Sequence, residues 1–445
     1  MKKILVLGAG YVARPFVDYI LENSNFELIV ADVDVQHAQR VTQNRERTYV
    51  EALDIRENEK LEGLIGKANL VISLLPYEFH YQVAQACVKL KKSLITASYI
   101  TPEISALDTA AKDAGVLILK EMGLDPGLDH MSAMHIIDKI KRDKGTIISF
   151  KSYCGGLAAP EANTNPWKYK FSWSPRGVLK AAQNGAKFLA ENQILEVLNR
   201  DMLQQTDLLQ IGPFDLEAYP NRDSMPYIDR YGLQGIETLV RYTLRFPGWV
   251  KTMAALREIG LADDKMVSVS NELGRSELLR TLLNIPVSDN LLNVCRQRAG
   301  EYWDKEVAER LTWLGLFDDE LEKVSTKQIS AMDYLVSRMI KTMSFAENER
   351  DMILLHHDFL FTKNGAAYRW ESTLTEFGIP GGASAMAQTV AFPAAIAARY
   401  ILEDTINLTG VHLPVLPEIY NPVLEELQHQ GMVFSEHIKK MPNNT

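Results

Sequence analysis

A glycine-rich segment near the N-terminus indicates the fold of this chain. It reads Gly8-Ala9-Gly10-Tyr11-Val12-Ala13 and joins a short apolar run to a helical pattern. Gly8 allows a tight turn, Gly10 lets the backbone approach a pyrophosphate, and Ala13 permits close packing of the helix on the strand. The helix N-terminus supplies free N–H groups and the positive end of its dipole. With a strand before it and a helix after it, this G-x-G-x-x-A motif predicts a dinucleotide-binding turn.

Outward from this turn, the first 125 residues alternate between apolar runs and helical patterns. Strands are expected at Lys2 to Leu7, Phe26 to Ala31, Asn69 to Leu75, Lys92 to Thr96 and Val116 to Leu119, and helices at Tyr11 to Leu21, Glu78 to Leu90 and Glu103 to Ala114. Such alternation is typical of βαβ units on a parallel sheet. The sequence therefore predicts an α/β fold with an N-terminal, doubly wound Rossmann domain over residues 1–125.

Length and composition restrict the class of protein. The chain has 445 residues, of which 46% are hydrophobic and 24% charged, as in ordinary globular proteins, and the length predicts about three domains. Its net charge of −9 disfavours nucleic-acid binding. Polar residues and a proline interrupt the apolar stretch Ala383 to Tyr400, so no membrane-spanning helix is expected. Three distant cysteines fit neither a disulfide framework nor a zinc site, which indicates a reduced, cytoplasmic protein.

The end of the second predicted strand indicates which dinucleotide binds. Asp32 lies 22 residues after Gly10, where a carboxylate accepts hydrogen bonds from ribose hydroxyls and repels a 2′-phosphate. NAD is therefore expected, with NADP less favoured. Asp34 is an alternative ribose ligand, and Asp32 would then only cap a turn. Asp54 could reach the adenine edge, and Ser73-Leu74-Leu75-Pro76 should line the nicotinamide side, at the carboxyl ends of the strands.

Besides Gly8-Ala9-Gly10-Tyr11, several short stretches within the Rossmann pattern and after it recur in one known family. They are Ile72-Ser73-Leu74-Leu75-Pro76-Tyr77, Thr96-Ala97-Ser98-Tyr99, Gly123-Leu124-Asp125-Pro126-Gly127, Tyr153-Cys154-Gly155-Gly156-Leu157, Lys170-Phe171-Ser172-Trp173-Ser174-Pro175 and Tyr219-Pro220-Asn221-Arg222-Asp223-Ser224. Along nearly its whole length the chain resembles the L-glutamate-forming saccharopine dehydrogenases, the fungal saccharopine reductases and, more closely, the dehydrogenase half of animal aminoadipic semialdehyde synthase. Ala158 and Trp167 depart from the family pattern, and Asp32 departs from the NADP-preferring fungal enzymes.

The resemblance implies a reaction. Saccharopine would be oxidised by hydride transfer to NAD, which is expected in preference to NADP, and water would hydrolyse the resulting imine to L-glutamate and 2-aminoadipate 6-semialdehyde. The reverse reaction in lysine metabolism is equally compatible with the sequence. A homodimer is expected from the family. The cofactor-binding residues expected are Gly8, Gly10, Tyr11, Val12, Ala13, Asp32, Asp54, Ser73, Leu74, Leu75, Leu124 and Ser174.

Substrate recognition can also be considered from the residue types. Saccharopine carries three carboxylates, which Arg forks bind well, and Arg222 and Arg245 are the best candidates. Asp125 could pair with the substrate amino group, although an Asp-Pro-Gly turn is the alternative. The resemblance adds Thr243, with the backbone of Tyr242 and Leu244, at the glutamate part of the substrate. The substrate-binding residues expected are therefore Ser98, Tyr99, Asp125, Arg222, Tyr242, Thr243, Leu244 and Arg245.

No residue identifies itself as the proton carrier. Asp125, Tyr99 and Cys154 are the catalytic candidates, although a cysteine is more often an inert apolar residue. The alternative is that the substrate amine, cofactor positioning and water suffice. His356 and His357 are adjacent on a predicted strand and should point to opposite faces, so no metal is expected.

The rest of the chain predicts a second α/β domain over residues 126–384, with a mixed sheet and a helical insertion around residues 286–335. Residues 385–445 should return to complete the first domain. Two other functions stay open: a carboxynorspermidine- or homospermidine-type oxidoreductase, and a non-catalytic NAD-binding scaffold. The first needs acidic residues facing amines, so Arg222 counts against it.

Overall fold

A computed structural model describes residues 1–270, 272–324 and 326–442. The chain forms two compact units. Unit 1 comprises Met1–Ile148, Asp229–Gln234 and His357–Thr445, and unit 2 comprises Ser149–Ile228 and Gly235–His356. Residues 126–148 and 357–384, which we expected in the second domain, therefore lie in unit 1.

The N-terminal part of unit 1 alternates strands and helices. The strands are β1 (Lys3–Leu7), β2 (Glu27–Asp32), β3 (Thr48–Ala52), β4 (Leu70–Ser73), β5 (Ser93–Thr96) and β6 (Leu117–Leu119). The helices are α1 (Ala13–Asn23), α2 (Val35–Thr42), α3 (Asn58–Lys67), α4 (His80–Lys89), α5 (Pro102–Ser105), α6 (Asp108–Ala114) and α7 (Leu128–Arg142). The helix expected from Glu103 to Ala114 is thus two short helices.

Strand β7 (Thr146–Ala158) begins in unit 1 and continues into unit 2. The following elements are α8 (Pro175–Ala181), β8 (Ala186–Ala190), β9 (Gln193–Val197), β10 (Asp207–Ile211), β11 (Phe214–Pro220), β12 (Arg222–Asp223), α9 (Pro226–Arg230), β13 (Thr238–Arg245) and α10 (Trp249–Ile259). Next come β14 (Met266–Ser268), β15 (Glu272–Gly274), α11 (Arg275–Leu283), α12 (Leu291–Ala299), α13 (Lys305–Trp313), β16 (Leu321–Lys323), β17 (Gln328–Ser330) and α14 (Ala331–Thr342). The expected insertion is therefore mainly helical, with two short strands.

The chain returns to unit 1 within β18 (Asp351–Lys363). It then forms β19 (Ala366–Phe377), α15 (Ala385–Leu402), β20 (Gly410–His412), α16 (Pro417–His429) and β21 (Ser435–Lys440). Helix α15 is long and apolar enough to span a membrane by length and composition, but 61% of it is buried inside the structure. Because it packs against α1, α7 and α16, it is a core helix of unit 1.

The sheet at the centre of unit 1 has the order β20-β6-β5-β4-β1-β2-β3, and every neighbouring pair is parallel. Residues 4–7 of β1 are fully buried, which explains why this strand reads as a continuous apolar run. The predicted Rossmann domain is confirmed. The return of β20 to this sheet places the C-terminal segment in the same unit, as expected.

In unit 2 the main sheet has the order β10-β11-β13-β7-β18, with β8, β9 and β12 attached beside it. Strand β13 is parallel to β7 but antiparallel to β11, so this sheet is mixed, as predicted. In unit 1, β19 lies between the end of β18 and β21 and is antiparallel to β21. The two-domain α/β fold class is therefore confirmed.

Candidate active site

The glycine-rich turn has the backbone geometry that its sequence predicts. Gly8 has φ of +96°, and a Cβ atom there would lie 3.2 Å from the backbone carbonyl carbon and oxygen of Leu74. A side chain at Gly10 would meet nothing within 4 Å, so its backbone faces open space. Ala13 is fully buried and Tyr11 is 79% exposed. Glycine is therefore needed at position 8 for the turn, and the backbone at position 10 remains accessible to a ligand.

Asp32 holds this turn in place. Its Oδ2 atom accepts a hydrogen bond from the Ala9 N–H at 2.7 Å, and its Oδ1 atom accepts one from the Asp34 N–H at 2.9 Å. Asp34 in turn caps α2 by accepting from the Gln36 N–H at 2.9 Å. Each of these carboxylates therefore holds a backbone group at this edge of the sheet.

Asp54 follows β3 and binds Arg56 through both carboxylate oxygens, with a shortest distance of 2.5 Å to Arg56 Nη2. The hydrogen bonds from the Arg56 side chain and backbone lower the pKa of Asp54 to about 2. The pair lies at the carboxyl end of β3, and β3 is paired in parallel with β2. A guanidinium therefore lies at the same sheet edge as Asp32 and Asp34.

The nicotinamide side of the predicted site contains a histidine that sequence reasoning missed. His80 is 2% exposed and begins α4. Its Nδ1 atom is 3.0 Å from Ser73 Oγ, and its Nε2 atom is 2.8 Å from Ser98 Oγ and 3.2 Å from Thr96 Oγ1. One ring thus connects a residue predicted to bind the cofactor with a residue predicted to bind the substrate.

Tyr99 and Asp125 lie together, as their positions after neighbouring strands suggested. The Tyr99 hydroxyl donates to Asp125 Oδ1 at 2.9 Å. Asp125 belongs to a tight loop in which the Gly123 N–H donates to Pro126 O at 3.0 Å. Gly127 has φ of +147°, and a Cβ atom there would lie 2.1 Å from Gly123 O. Two glycines therefore fix the loop that carries Asp125.

Behind this loop lies a buried acid–base cluster, also missed by sequence reasoning. Glu121 is fully buried, and its Oε2 atom is 2.8 Å from His130 Nε2, whose Nδ1 atom is 2.5 Å from the Tyr231 hydroxyl. Its Oε1 atom accepts from the Ile100 N–H at 2.9 Å. Burial alone would raise the pKa of Glu121, but the hydrogen bond and charge of His130, the Ile100 N–H and the charge of Arg230 lower it below its usual value. The cluster anchors the segment that carries Ser98 and Tyr99.

The residue before this cluster, Lys120, is fully buried, and its Nζ atom makes no hydrogen bond to any residue that the structure describes. Burial lowers the pKa of Lys120 to about 7, against a smaller opposing effect of the Glu121 charge. A buried, unpaired amine at the carboxyl end of β6 lies at the edge of the sheet where α/β proteins bind ligands.

In unit 2, Cys154, Thr243 and Tyr219 form a row across β7, β13 and β11. Paired residues face the same side of a sheet, so their side chains share one face. Tyr153 and Tyr242 form the next row and stack with ring centroids 4.8 Å apart. Successive strand residues face opposite sides, so Tyr242 and Thr243 present their side chains to different faces.

The two predicted carboxylate-binding arginines have different environments. Arg245 is 5% exposed, and its guanidinium carbon lies 5.1 Å from the centre of the Tyr169 ring and 5.4 Å from that of the Trp249 ring. Arg222 is exposed at the start of β12 and has a φ of +57°. Ser174 caps α8 by accepting from the Gly177 N–H at 3.2 Å. Arg222 is thus the more exposed of the two arginines.

The paired histidines in β18 have separate partners. His357 Nε2 is 2.7 Å from Ser132 Oγ, and the His356 ring centre is 5.8 Å from that of Tyr153. Within residues 1–270, 272–324 and 326–442, no group of three metal-ligating side chains is found.

Comparison with known proteins gives consistent matches over the chain. A model of the saccharopine dehydrogenase NADP binding domain matches residues 4–119, and one of the saccharopine dehydrogenase C-terminal domain matches residues 123–432. A saccharopine dehydrogenase [NADP(+), L-glutamate-forming] of Pyricularia oryzae is 36% identical over 96% of this chain and 97% of its own. The mitochondrial alpha-aminoadipic semialdehyde synthase of Bos taurus is 37% identical over 98% of this chain and 47% of its own.

These matches correct the cofactor prediction. The fungal relatives are named for NADP(+), and the matching N-terminal model is an NADP binding domain, so the prediction of NAD as the main cofactor is wrong. The structure gives the physical reason. The Asp32 carboxylate binds the backbone N–H groups of Ala9 and Asp34, and the Arg56 guanidinium lies at the same sheet edge, a positive charge that the prediction from Asp32 did not include.

A solved structure agrees with the sequence matches. The apo, histidine-tagged saccharopine dehydrogenase (L-Glu forming) from Saccharomyces cerevisiae has a TM-score of 0.89 and 34% identity, over 99% of this chain and 100% of its own. Fold, site motifs and both family models therefore agree along the chain. The chain belongs to the saccharopine dehydrogenase family.

Proposed function

We propose that this protein is an oxidoreductase that converts saccharopine, NADP+ and water to L-glutamate, 2-aminoadipate 6-semialdehyde, NADPH and a proton, or catalyses the reverse reaction, in lysine metabolism. The observation that carries the proposal is similarity to L-glutamate-forming saccharopine dehydrogenases over nearly the full length of both chains. The structure supports it by joining Tyr99 to Asp125, two of the residues expected at the reacting nitrogen, through a 2.9 Å hydrogen bond.

The turn formed by Gly8 to Ala13 fits a dinucleotide. Its Gly8 φ of +96° and the open space at Gly10 leave backbone N–H groups accessible at the start of α1. Ser73, Leu74 and Leu75 at the end of β4 would line the nicotinamide. When bound, NADP accepts the hydride from the carbon beside the substrate's bridging nitrogen.

We propose Arg56 as the cation for the 2′-phosphate. It is 79% exposed as a side chain and lies at the carboxyl end of β3, beside β2. Its ion pair with Asp54 is open to solvent on the Arg56 side, and ion pairs at the surface contribute little to stability, so exchanging Asp54 for a phosphate costs little. A dianionic phosphate is a better partner for a guanidinium than one carboxylate.

For the substrate, we propose that Arg222 binds a carboxylate, because the residue is exposed and belongs to a stretch that recurs in the family. The buried Arg245 would instead hold Tyr169 and Trp249 in place on the face that carries Thr243. Ser98 and Tyr99 would contact the substrate near its reacting nitrogen. Thr243 and the backbone of Tyr242 and Leu244 would contact the glutamate part.

The Tyr99–Asp125 pair would manage the proton at the bridging nitrogen. Asp125 Oδ1 accepts a hydrogen bond from the Tyr99 hydroxyl, so the phenol is oriented and the two side chains would act together at the substrate amine. Cys154 is 8% exposed and lies in a strand beside Thr243. We therefore propose that Cys154 shapes the substrate surface and carries no proton.

The test is to mix the purified protein with saccharopine and NADP and to follow the absorbance of reduced nicotinamide. We expect turnover with NADP, and Arg222→Lys should raise KM for saccharopine about 10- to 100-fold, because a bidentate contact is lost. The matched control is Arg200→Lys, since the Arg200 side chain is 72% exposed and pairs only loosely with Asp201. Turnover of a carboxylated polyamine in place of saccharopine, or cofactor binding with no turnover, would contradict the proposal.

A further inference from the structure

His80 forms the centre of a buried hydrogen-bonding network that the proposed reaction leaves unassigned. Its two ring nitrogens contact three hydroxyls, those of Ser73, Ser98 and Thr96, at 2.8 to 3.2 Å. Strands β4 and β5 are paired in register so that Ser73 lies opposite Thr96. The ring therefore closes a gap between the carboxyl ends of two neighbouring strands, and its two nitrogens reach across to different strands.

The imidazole is neutral in this environment. Burial, and then the nearby charge of Lys120, lower the pKa of His80 to about 3. A neutral imidazole has one N–H donor and one acceptor nitrogen. The protonated ring nitrogen therefore donates to a hydroxyl oxygen on one side of the ring. The other ring nitrogen accepts a hydrogen bond from a hydroxyl on the opposite side. The orientation of the Ser73 hydroxyl and that of the Ser98 hydroxyl are thereby linked through one tautomer.

We propose that His80 is a positioning residue, which fixes Ser73 on the cofactor side and Ser98 on the substrate side in one linked arrangement. The substrate side of this inference depends on the proposed function. The cofactor side depends only on dinucleotide binding. A misplaced group can lower a reaction rate by about 100-fold. When Ser98 loses its contact with His80, we therefore expect a larger effect on kcat than on the stability of the fold.

The experiment is a double-mutant cycle with His80→Phe and Ser98→Ala, measured with saccharopine and NADP. Phenylalanine keeps a ring of similar size and removes both hydrogen-bonding nitrogens. We expect His80→Phe alone to lower kcat/KM for saccharopine on the order of 100-fold. In the Ser98→Ala background the same change should lower it less than about threefold, because its effect is transmitted through Ser98. His80→Asn, which retains a donor and an acceptor, should recover part of the loss.

A second cycle, His80→Phe with Ser73→Ala, measures the Kd of NADP without substrate. It remains informative if the protein fails to turn over saccharopine, so failure of this inference and failure of the proposed function are distinguishable. His429→Asn is the matched control, because His429 is exposed at the end of α16. The inference would be overturned if the His80→Phe and Ser98→Ala effects on kcat/KM multiplied independently in variants that keep the wild-type melting temperature. A His80→Phe variant with unchanged kcat and unchanged Kd for NADP would overturn it as well.

Discussion

Replacing Lys120 with methionine should make the protein more stable at neutral pH. Lys120 is fully buried, and its Nζ atom has no hydrogen-bond partner among the described residues. Burial lowers its pKa from 10.5 to about 7. One pKa unit corresponds to about 1.36 kcal/mol, so holding this amine in the folded state costs roughly 5 kcal/mol at pH 7 and below. Methionine has a similar length and carries no charge.

The dependence of this difference on pH follows from proton binding. Between pH 7 and 10.5 the unfolded chain keeps the Lys120 proton and the folded chain has lost it, so the wild-type free energy of unfolding rises with pH in this window. The Lys120→Met variant lacks this dependence. Its advantage should therefore be largest at pH 7, about half as large near pH 9, and close to zero above pH 10.5.

The assay is the thermal midpoint of wild type and variant at several pH values from 7 to 10.5. Lys67→Met is the matched control, because Lys67 is exposed at the end of α3 and should show no pH-dependent difference. A Lys120→Met variant that is less stable than wild type at pH 7, or an advantage that does not change with pH, would refute the reasoning. Either result would mean that the buried amine is charged and well solvated.

Two further predictions concern the cofactor and the loop. Arg56→Ala should raise the Kd of NADP about tenfold and leave the Kd of NAD unchanged, since only NADP carries a 2′-phosphate. Calorimetric titration with both dinucleotides measures the two Kd values. An equal rise in both would contradict the role of Arg56. Gly127→Ala should lower stability by more than about 3 kcal/mol, because its Cβ would lie 2.1 Å from Gly123 O at a φ of +147°. Gly66→Ala, where a Cβ meets nothing within 4 Å inside α3, is the control and should be neutral or slightly stabilising in denaturant unfolding.

The sequence predicted the parts of the fold that depend on local patterns. Strands β1, β4 and β5 are buried, so they read as continuous apolar runs, and the glycine turn requires its residue types. Helices α2 and α3 were not predicted, and strand β3 was indicated only through Asp54, which was expected to close a strand region without stated bounds. Strand β3 lies at the edge of the sheet with a partly exposed face, and its residues Thr48 to Ala52 lack a distinctive apolar run.

The structure brings Tyr99 and Asp125 together, because both follow strand ends and such ends meet at one edge of a parallel sheet; their roles at the substrate stay predictions. Tertiary hydrogen bonds could not be predicted from local patterns. The residue type of Asp32 does not reveal that its oxygens accept from Ala9 and Asp34. The sequence held one signal for His80, namely its position shortly after a strand end that was already predicted to line the cofactor.

The boundaries of the two units could also not be predicted from local sequence patterns. Residues 229–234 belong to unit 1, where Tyr231 contacts His130 and Lys141 Nζ donates to Gly232 O at 2.7 Å. These contacts join positions about 90 to 100 residues apart in the chain. The flanking turn residues identify a loop, but no periodicity indicates which unit it joins.

The most direct test of the central claim is to measure both products of the reaction with saccharopine and NADP. Reduced cofactor, followed by absorbance, and L-glutamate, followed by mass spectrometry, should appear in equal amounts and only when saccharopine is present. Each hydride transferred leaves one imine for water to hydrolyse, which fixes this ratio. NADP reduction without glutamate, or no reduction although NADP binds, would contradict the account.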